Sequence, residues 1–150
     1  MKNSLGFSGT FRGRLVNHRT GEITCWEKHN MIVKGGFDWI AQLMSNTTNR
    51  SPAISHIAFG TGTESTTYNM SRLVNEVYRG EVTSSWDDTT RELTFTGSIP
   101  QMSGLNASIA EVGLFNAASG GIMFDRANFT PKGIDNDMSF DYTFTITITE

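Results

Sequence analysis

Four sets of residues in this 150-residue sequence have types and spacings from which chemistry can be built. Gly60-Thr61-Gly62 is the first, since a glycine-rich turn lets backbone N–H groups close around a phosphate. A phosphate loop also needs a Gly-Lys-Ser/Thr ending, and a dinucleotide site needs a third glycine opening a helix. Here the polar segment Glu64-Ser65-Thr66-Thr67 follows without helical period, so the glycines read as a strand-end turn. His18, His29 and His56 are far apart, with no second ligand type at metal-binding spacing. Asp135, Asp137 and Asp141 offer carboxylates to calcium, but the EF-hand spacing and its closing glutamate are missing, and a solvated turn is the better reading. Cys25 has no cysteine partner and no base beside it, which makes it a small strand residue rather than a nucleophile. No nucleophile elbow and no acid/base carboxylate couple is recognisable. The sequence therefore predicts no catalytic residue, no cofactor and no metal.

The fourth set is charged and lies inside apolar runs. Glu76 and Arg79 stand three apart among Leu73, Val74, Val77 and Tyr78, and Glu111 interrupts Ile109-Ala110 and Val112-Gly113-Leu114. A buried charge must be paired. The expectation is a structural ion pair in which Arg79 holds Glu111 or Glu76 across neighbouring strands, the alternative being ordinary surface charges.

The elements that must position these residues are mostly strands. From Met138 to Thr149 the chain alternates strictly: Met138, Phe140, Tyr142, Phe144, Ile146 and Ile148 on one side, Ser139, Asp141 and four threonines on the other. That period of two defines a β-strand with one apolar and one polar face, as in antiparallel sheets. Runs flanking His18-Arg19-Thr20-Gly21 predict an opening hairpin. Further strands are predicted at Ile54 to Phe59, Leu73 to Trp86, Arg91 to Ile99, Ala107 to Phe115 and Ile122 to Phe129, separated by Gly, Asp, Asn and Ser turns. One helix, about 36–45, follows from Phe37, Ile40, Ala41 and Met44 at i, i+3, i+4 and i+7, with Asp38 in its first turn and Trp39 and Leu43 widening the stripe. It is expected to plug one end of a sandwich. Ser45 to Asn49 then reads as loop. The whole predicts one all-β domain over 1–150, a β-sandwich of about eight antiparallel strands.

Composition narrows the partners. A net charge of −3 and a pI near 5.6 give no one-sided basic field, so no nucleic-acid partner is expected. No apolar run approaches the ~20 residues that span a bilayer, and the amino terminus lacks a signal-peptide core, so no membrane partner is expected either.

Several segments taken in order resemble a known group. They are Thr20-Gly21-Glu22-Ile23; His29 to Val33 with Gly35-Gly36; Ile57-Ala58-Phe59-Gly60-Thr61-Gly62; Leu73 to Glu76 with Arg79; and Glu111 to Asn116 ahead of Met123-Phe124-Asp125-Arg126. Together, from about Thr20 to Thr149, they resemble small β-sandwich structural proteins of tailed bacteriophages, of the tail-collar, tail-tip-ring and fibre-attachment kind. The resemblance implies an immunoglobulin-like or jelly-roll sandwich, no catalysis, a virion location after synthesis in the host cytoplasm, and a homo-oligomeric ring docked on other virion structural proteins. It makes the Gly60-Thr61-Gly62 turn, Glu76, Arg79 and the Glu111 to Phe115 strand fold-defining. Two other classes fit the same reading of the residues: a capsid decoration protein, and a carbohydrate-binding module in which Trp26 and Trp86 lie side by side on an exposed face. The surfaces expected to make contacts are the threonine face of the last strand and the loops near Trp86 and Phe129.

Overall fold

The computed structural model describes residues 4–45 and 48–150. The first three residues, and the part of the predicted loop at 46–47, lie outside them. Nine strands and one helix follow one another as β1 (Gly6–Asn17), β2 (Ile23–Ile32), α1 (Lys34–Met44), β3 (His56–Gly60), β4 (Glu76–Glu81), β5 (Thr83–Asp87), β6 (Glu92–Ile99), β7 (Ala107–Phe115), β8 (Met123–Ile134) and β9 (Met138–Thr149). The fold is all-β with one short helix. All pairings are antiparallel, and the strands form a single sheet in the order β4-β3-β7-β8-β2-β1-β9-β6-β5.

The sheet folds back on itself into two walls, nearly closing into a barrel. One corner is the short β2/β8 junction, where only Met31 and Ile32 pair with Arg126 and Asp125. The other is the β4–β5 bend, where the two end strands of the sheet are separated by Val82 alone. Between the walls aromatic rings fill the core. Phe59 from β3 meets Phe140 and Tyr142 from β9 at centroid distances of 5.2 and 5.0 Å, and Phe11 from β1 stacks on Phe129 from β8 at 5.7 Å. These offset and edge contacts suit the ring quadrupoles and tie the two walls directly.

The alternation of the last strand is realised in register. Phe140, Tyr142, Phe144 and Ile146 are buried, and β9 lies between β1 and β6, with Phe11 opposite Phe144 on one side and Phe95 opposite it on the other. The strand is central, and its polar face is partly covered by neighbours: Thr145 between Thr10 and Thr94 is buried. The opening hairpin forms at the predicted turn, where Gly21 has φ of +78° and donates its N–H to the Asn17 carbonyl. A left-handed residue there closes the loop at no steric cost, which glycine alone does readily.

Two expectations change. The run Leu73 to Trp86 is not one strand: Leu73 folds back onto the outer side of the sheet, β4 starts at Glu76, and the chain turns at Val82 into β5. The helix faces differently from the predicted stripe. Gly36 is its buried residue and Trp39 and Ile40 pack on the core, while Phe37 and Met44 are exposed. Gly35 and Gly36 decide this, because a β-carbon on Gly36 would lie 2.2 Å from the Phe124 carbonyl oxygen; their lack of one lets α1 lie flat on the β2/β8 corner rather than plug an end. Asp38, four residues from Lys34, pairs with it on the surface instead of facing the helix dipole.

Candidate functional site

The most ordered polar chemistry lies on the outer side of the β4-β3-β7-β8 wall. Registers there set two rows. Arg79, Ala58, Gly113 and Arg126 form one; Glu76, Gly60, Glu111 and Asn128 form the next. Small residues in the middle of the arginine row let covering chain come down onto the sheet. The predicted grouping of Glu76, Arg79 and Glu111 divides here into two separate pairs.

Glu111 does not pair with Arg79. Its partner is Arg126 on the adjacent strand, and both side chains are 0% exposed. Arg126 donates from Nε and Nη2 to Glu111 Oε2 at 3.0 and 2.9 Å. Glu111 also accepts three backbone N–H groups: Gly62 at 3.0 Å, Asn75 at 2.9 Å and Val74 at 3.0 Å. Arg126 Nη1 completes the set, donating to the Glu64 carbonyl at 2.9 Å and to Thr66 Oγ1 at 2.8 Å. Burial pushes the Glu111 carboxyl up, but the Asn75 and Val74 N–H groups, Arg126 and the Gly62 N–H outweigh it and hold the group below its ordinary range. The pair thus pins the whole 61–75 segment across the sheet.

Gly60-Thr61-Gly62 is therefore an anion cradle whose anion is internal. A β-carbon at Gly60 would come 2.3 Å from Glu111 Oε1, and one at Gly62 2.7 Å from the same atom. The glycines serve close approach of backbone to a carboxylate belonging to the chain itself.

Arg79 pairs with Glu76 on its own strand rather than across strands. The guanidinium grips it with two bonds, Nε to Oε1 at 2.8 Å and Nη2 to Oε2 at 2.7 Å. Its Nη1 donates to the carbonyls of Ala117 and Gly120, and its plane sits 3.8 Å from the centroid of Phe115. The side chain is 8% exposed. It fixes the β7–β8 loop as Arg126 fixes the β3–β4 segment.

Arg126 is the residue that inspection of the sequence missed. It sits in Ile122-Met123-Phe124-Asp125-Arg126-Ala127, an apolar run holding two charges, and the rule that selected Glu111 selects it too. Its pairing was hidden by register shifts in β7/β8 at Ile109/Glu111 and Leu114/Phe115.

The remaining candidates are dispersed. His18 bonds Ser139, His29 bonds Thr10 and His56 bonds Ser55. Asp137 pairs with Arg19, and Asp135 Oδ1 caps the Asp137 N–H in a turn. Among the described residues no group of three His, Cys, Asp or Glu side chains could hold a metal ion. Cys25 is exposed, and with Arg12, Arg14, Glu27, Asp141 and Thr143 it lines a shallow depression of about 550 Å³ on the outer face. Trp26 points inward, stacked on Phe140 at 5.3 Å, whereas Trp86 is 51% exposed on β5, with β1, β9 and β6 between the two strands. The paired sugar-stacking face is not made. Phe129 is buried.

Edges are the other feature with functional content. The facing edges of β2 and β8 beyond their short junction carry Lys28, Pro131 and Lys132, the residues that discourage further pairing. Among the described residues β5 pairs only with β6, all five of its residues are exposed, and Thr83-Ser84-Ser85-Trp86 holds neither charge nor proline, the strand's one charge being Asp87 at its end. No helix among the described residues is long and apolar enough to cross a membrane. No family model, curated protein or solved structure matches the chain.

Proposed function

We propose that this chain is a non-enzymatic structural subunit of a tailed-bacteriophage virion, assembling in multiple copies into a collar or ring on the tail or tail tip and docking on other virion proteins. The observation that supports assembly is the contrast between edges: one seam is guarded by lysines and proline, and β5 is left open beside a half-exposed Trp86. An unguarded edge offers a row of backbone donors and acceptors to another strand, and an aromatic anchor beside it is the kind of residue that dominates interfaces. The two arginine clasps fit the same role, since they hold long surface segments rigid and lower the ordering cost of docking. The bacteriophage part of the reading rests on the ordered segments from Thr20 to Arg126 described above. If each copy contacts two neighbours head to tail through a rotation that closes, the assembly is a ring.

Light scattering coupled to size exclusion, followed by electron microscopy, tests this. The expected result is a closed ring of six or more copies for the wild type and a monomer for Trp86→Lys with an unchanged melting temperature. A wild-type monomer at high concentration would remove the self-assembling ring. A trimer that adds to a shell lattice would support the capsid decoration alternative instead.

A further inference from the structure

The β2/β8 corner contains a buried acid that the clasps do not use. Asp125 is 0% exposed and faces Asn30, whose Nδ2 donates to Asp125 Oδ2. The amide oxygen of Asn30, Oδ1, and the other carboxyl oxygen of Asp125, Oδ1, are buried without a partner among the described residues. Two oxygens cannot satisfy each other without a hydrogen between them. A single proton on Asp125 Oδ1 would donate to Asn30 Oδ1 and remove both orphans at once, closing a planar ring of two hydrogen bonds.

We infer that Asp125 is held as a neutral carboxylic acid in a two-bond ring with the Asn30 amide, and that this ring is a proton-dependent latch on the corner joining the two walls. The location gives it leverage: Asp125 and Ile32 are one of only two registered residue pairs between β2 and β8, and Asn30 lies two positions before Ile32. Room for the amide comes from Gly9 opposite it on β1, where a β-carbon would overlap the Asn30 amide at 2.0 Å.

Among the described residues no charge faces Asp125 that would hold an anion. β2 presents the neutral Asn30, β7 presents the Leu114 N–H, β1 presents Gly9, and α1 presents the Gly35-Gly36 backbone along Met123 and Phe124. The nearby cations are committed elsewhere, Arg126 to Glu111 on the outer side and Lys34 to Asp38 at the surface. Burial pushes the Asp125 carboxyl well above its ordinary range, against the Leu114 N–H and the Asn30 amide, which favour the anion. Below the ordinary carboxylate range the folded and unfolded chains both carry the proton. Above it the unfolded chain releases the proton and the folded chain keeps it, so the folding constant falls by up to tenfold per pH unit until the buried group itself ionises.

Asp125→Asn tests the latch, because an amide reproduces the neutral acid's shape and regenerates both bonds with Asn30. The expected result is an unchanged urea midpoint at pH 4, a raised midpoint at pH 8, and a flatter decline between them. An Asp125→Asn midpoint below that of the wild type at pH 8 would overturn the inference, since it would mean that a stabilising anion had been lost. Backbone-linked NMR of the wild-type chain decides the matter even if the variant fails to fold. The Asp125 carboxyl carbon is expected to show the chemical shift of a protonated acid at pH 7, and the shift of a carboxylate refutes the latch.

Discussion

Glu111 and Arg126 meet through two hydrogen bonds on the outer side of the sheet, yet neither reaches solvent. A pair facing outward becomes buried only because the 61–75 segment lies over it, and that segment stays down because three of its N–H groups, the Glu64 carbonyl and the Thr66 hydroxyl terminate on the pair. Cover and clasp stabilise each other.

Unequal partners make the two truncations unequal. Glu111→Ala strands Arg126 and three backbone donors, whereas Arg126→Met leaves the carboxylate still bound by Gly62, Val74 and Asn75. Glu111→Ala is expected to cost about 3–5 kcal/mol, the range for breaking a buried pair, and Arg126→Met less. Urea unfolding of both variants checks the order, and limited proteolysis should cut the 61–75 segment first in Glu111→Ala.

Acid should release the same clasp. The folded pKa of Glu111 is depressed, so its contribution is full above the ordinary carboxylate range near ~4.3 and is lost as pH falls through the folded value. The urea midpoint should drop in the wild type as the pH falls below about 4. In Glu111→Gln the drop should be smaller, from a lower starting midpoint.

Arg79 is expected to resist conservative exchange. Its fork on Glu76, its two carbonyl acceptors and its stacking on Phe115 all need a planar guanidinium. Arg79→Lys should therefore lose nearly as much as Arg79→Ala, about 1–3 kcal/mol, which at this chain length is several degrees in melting temperature. Full rescue by lysine would show that charge alone matters there.

The glycine of the cradle provides a steric test. Gly60→Ala drives a β-carbon against the Glu111 carboxylate and the Asn75 carbonyl, and should cost about 1–3 kcal/mol. Gly133→Ala, where the added carbon meets nothing within 4 Å, should stay within about 0.5 kcal/mol of wild type. Thermal melts of the pair give the comparison.

What the sequence made legible follows from how many positions obey a single rule. In β9 six apolar residues share one period, and the strand, its buried face and the all-β class follow. The helix was legible but its face was not, since Phe37, Trp39, Ile40, Ala41, Leu43 and Met44 are apolar on every side and the two glycines before them chose the contact. Leu73 to Asn75 looked like strand because Leu73 and Val74 begin an apolar run, but the burial of Leu73 is on the outer side, under no second sheet. The polar site was half legible: Glu111 was flagged as a buried charge, and its partner depended on strand neighbours and register shifts that no local pattern encodes.

The central place of β9 also sets the order in which the molecule can be made. Phe11 pairs with Phe144, and β6 waits on β9 as much as β1 does, so the five strands β2-β1-β9-β6-β5 cannot become a continuous wall until nearly all of the described chain has left the ribosome. Closing such distant strands carries a large loop-entropy cost before any contact repays it, which places folding on the slow side for this size. During that interval the β1–β2 hairpin stands with its apolar side uncovered, and it is the segment that a holding chaperone would be expected to occupy.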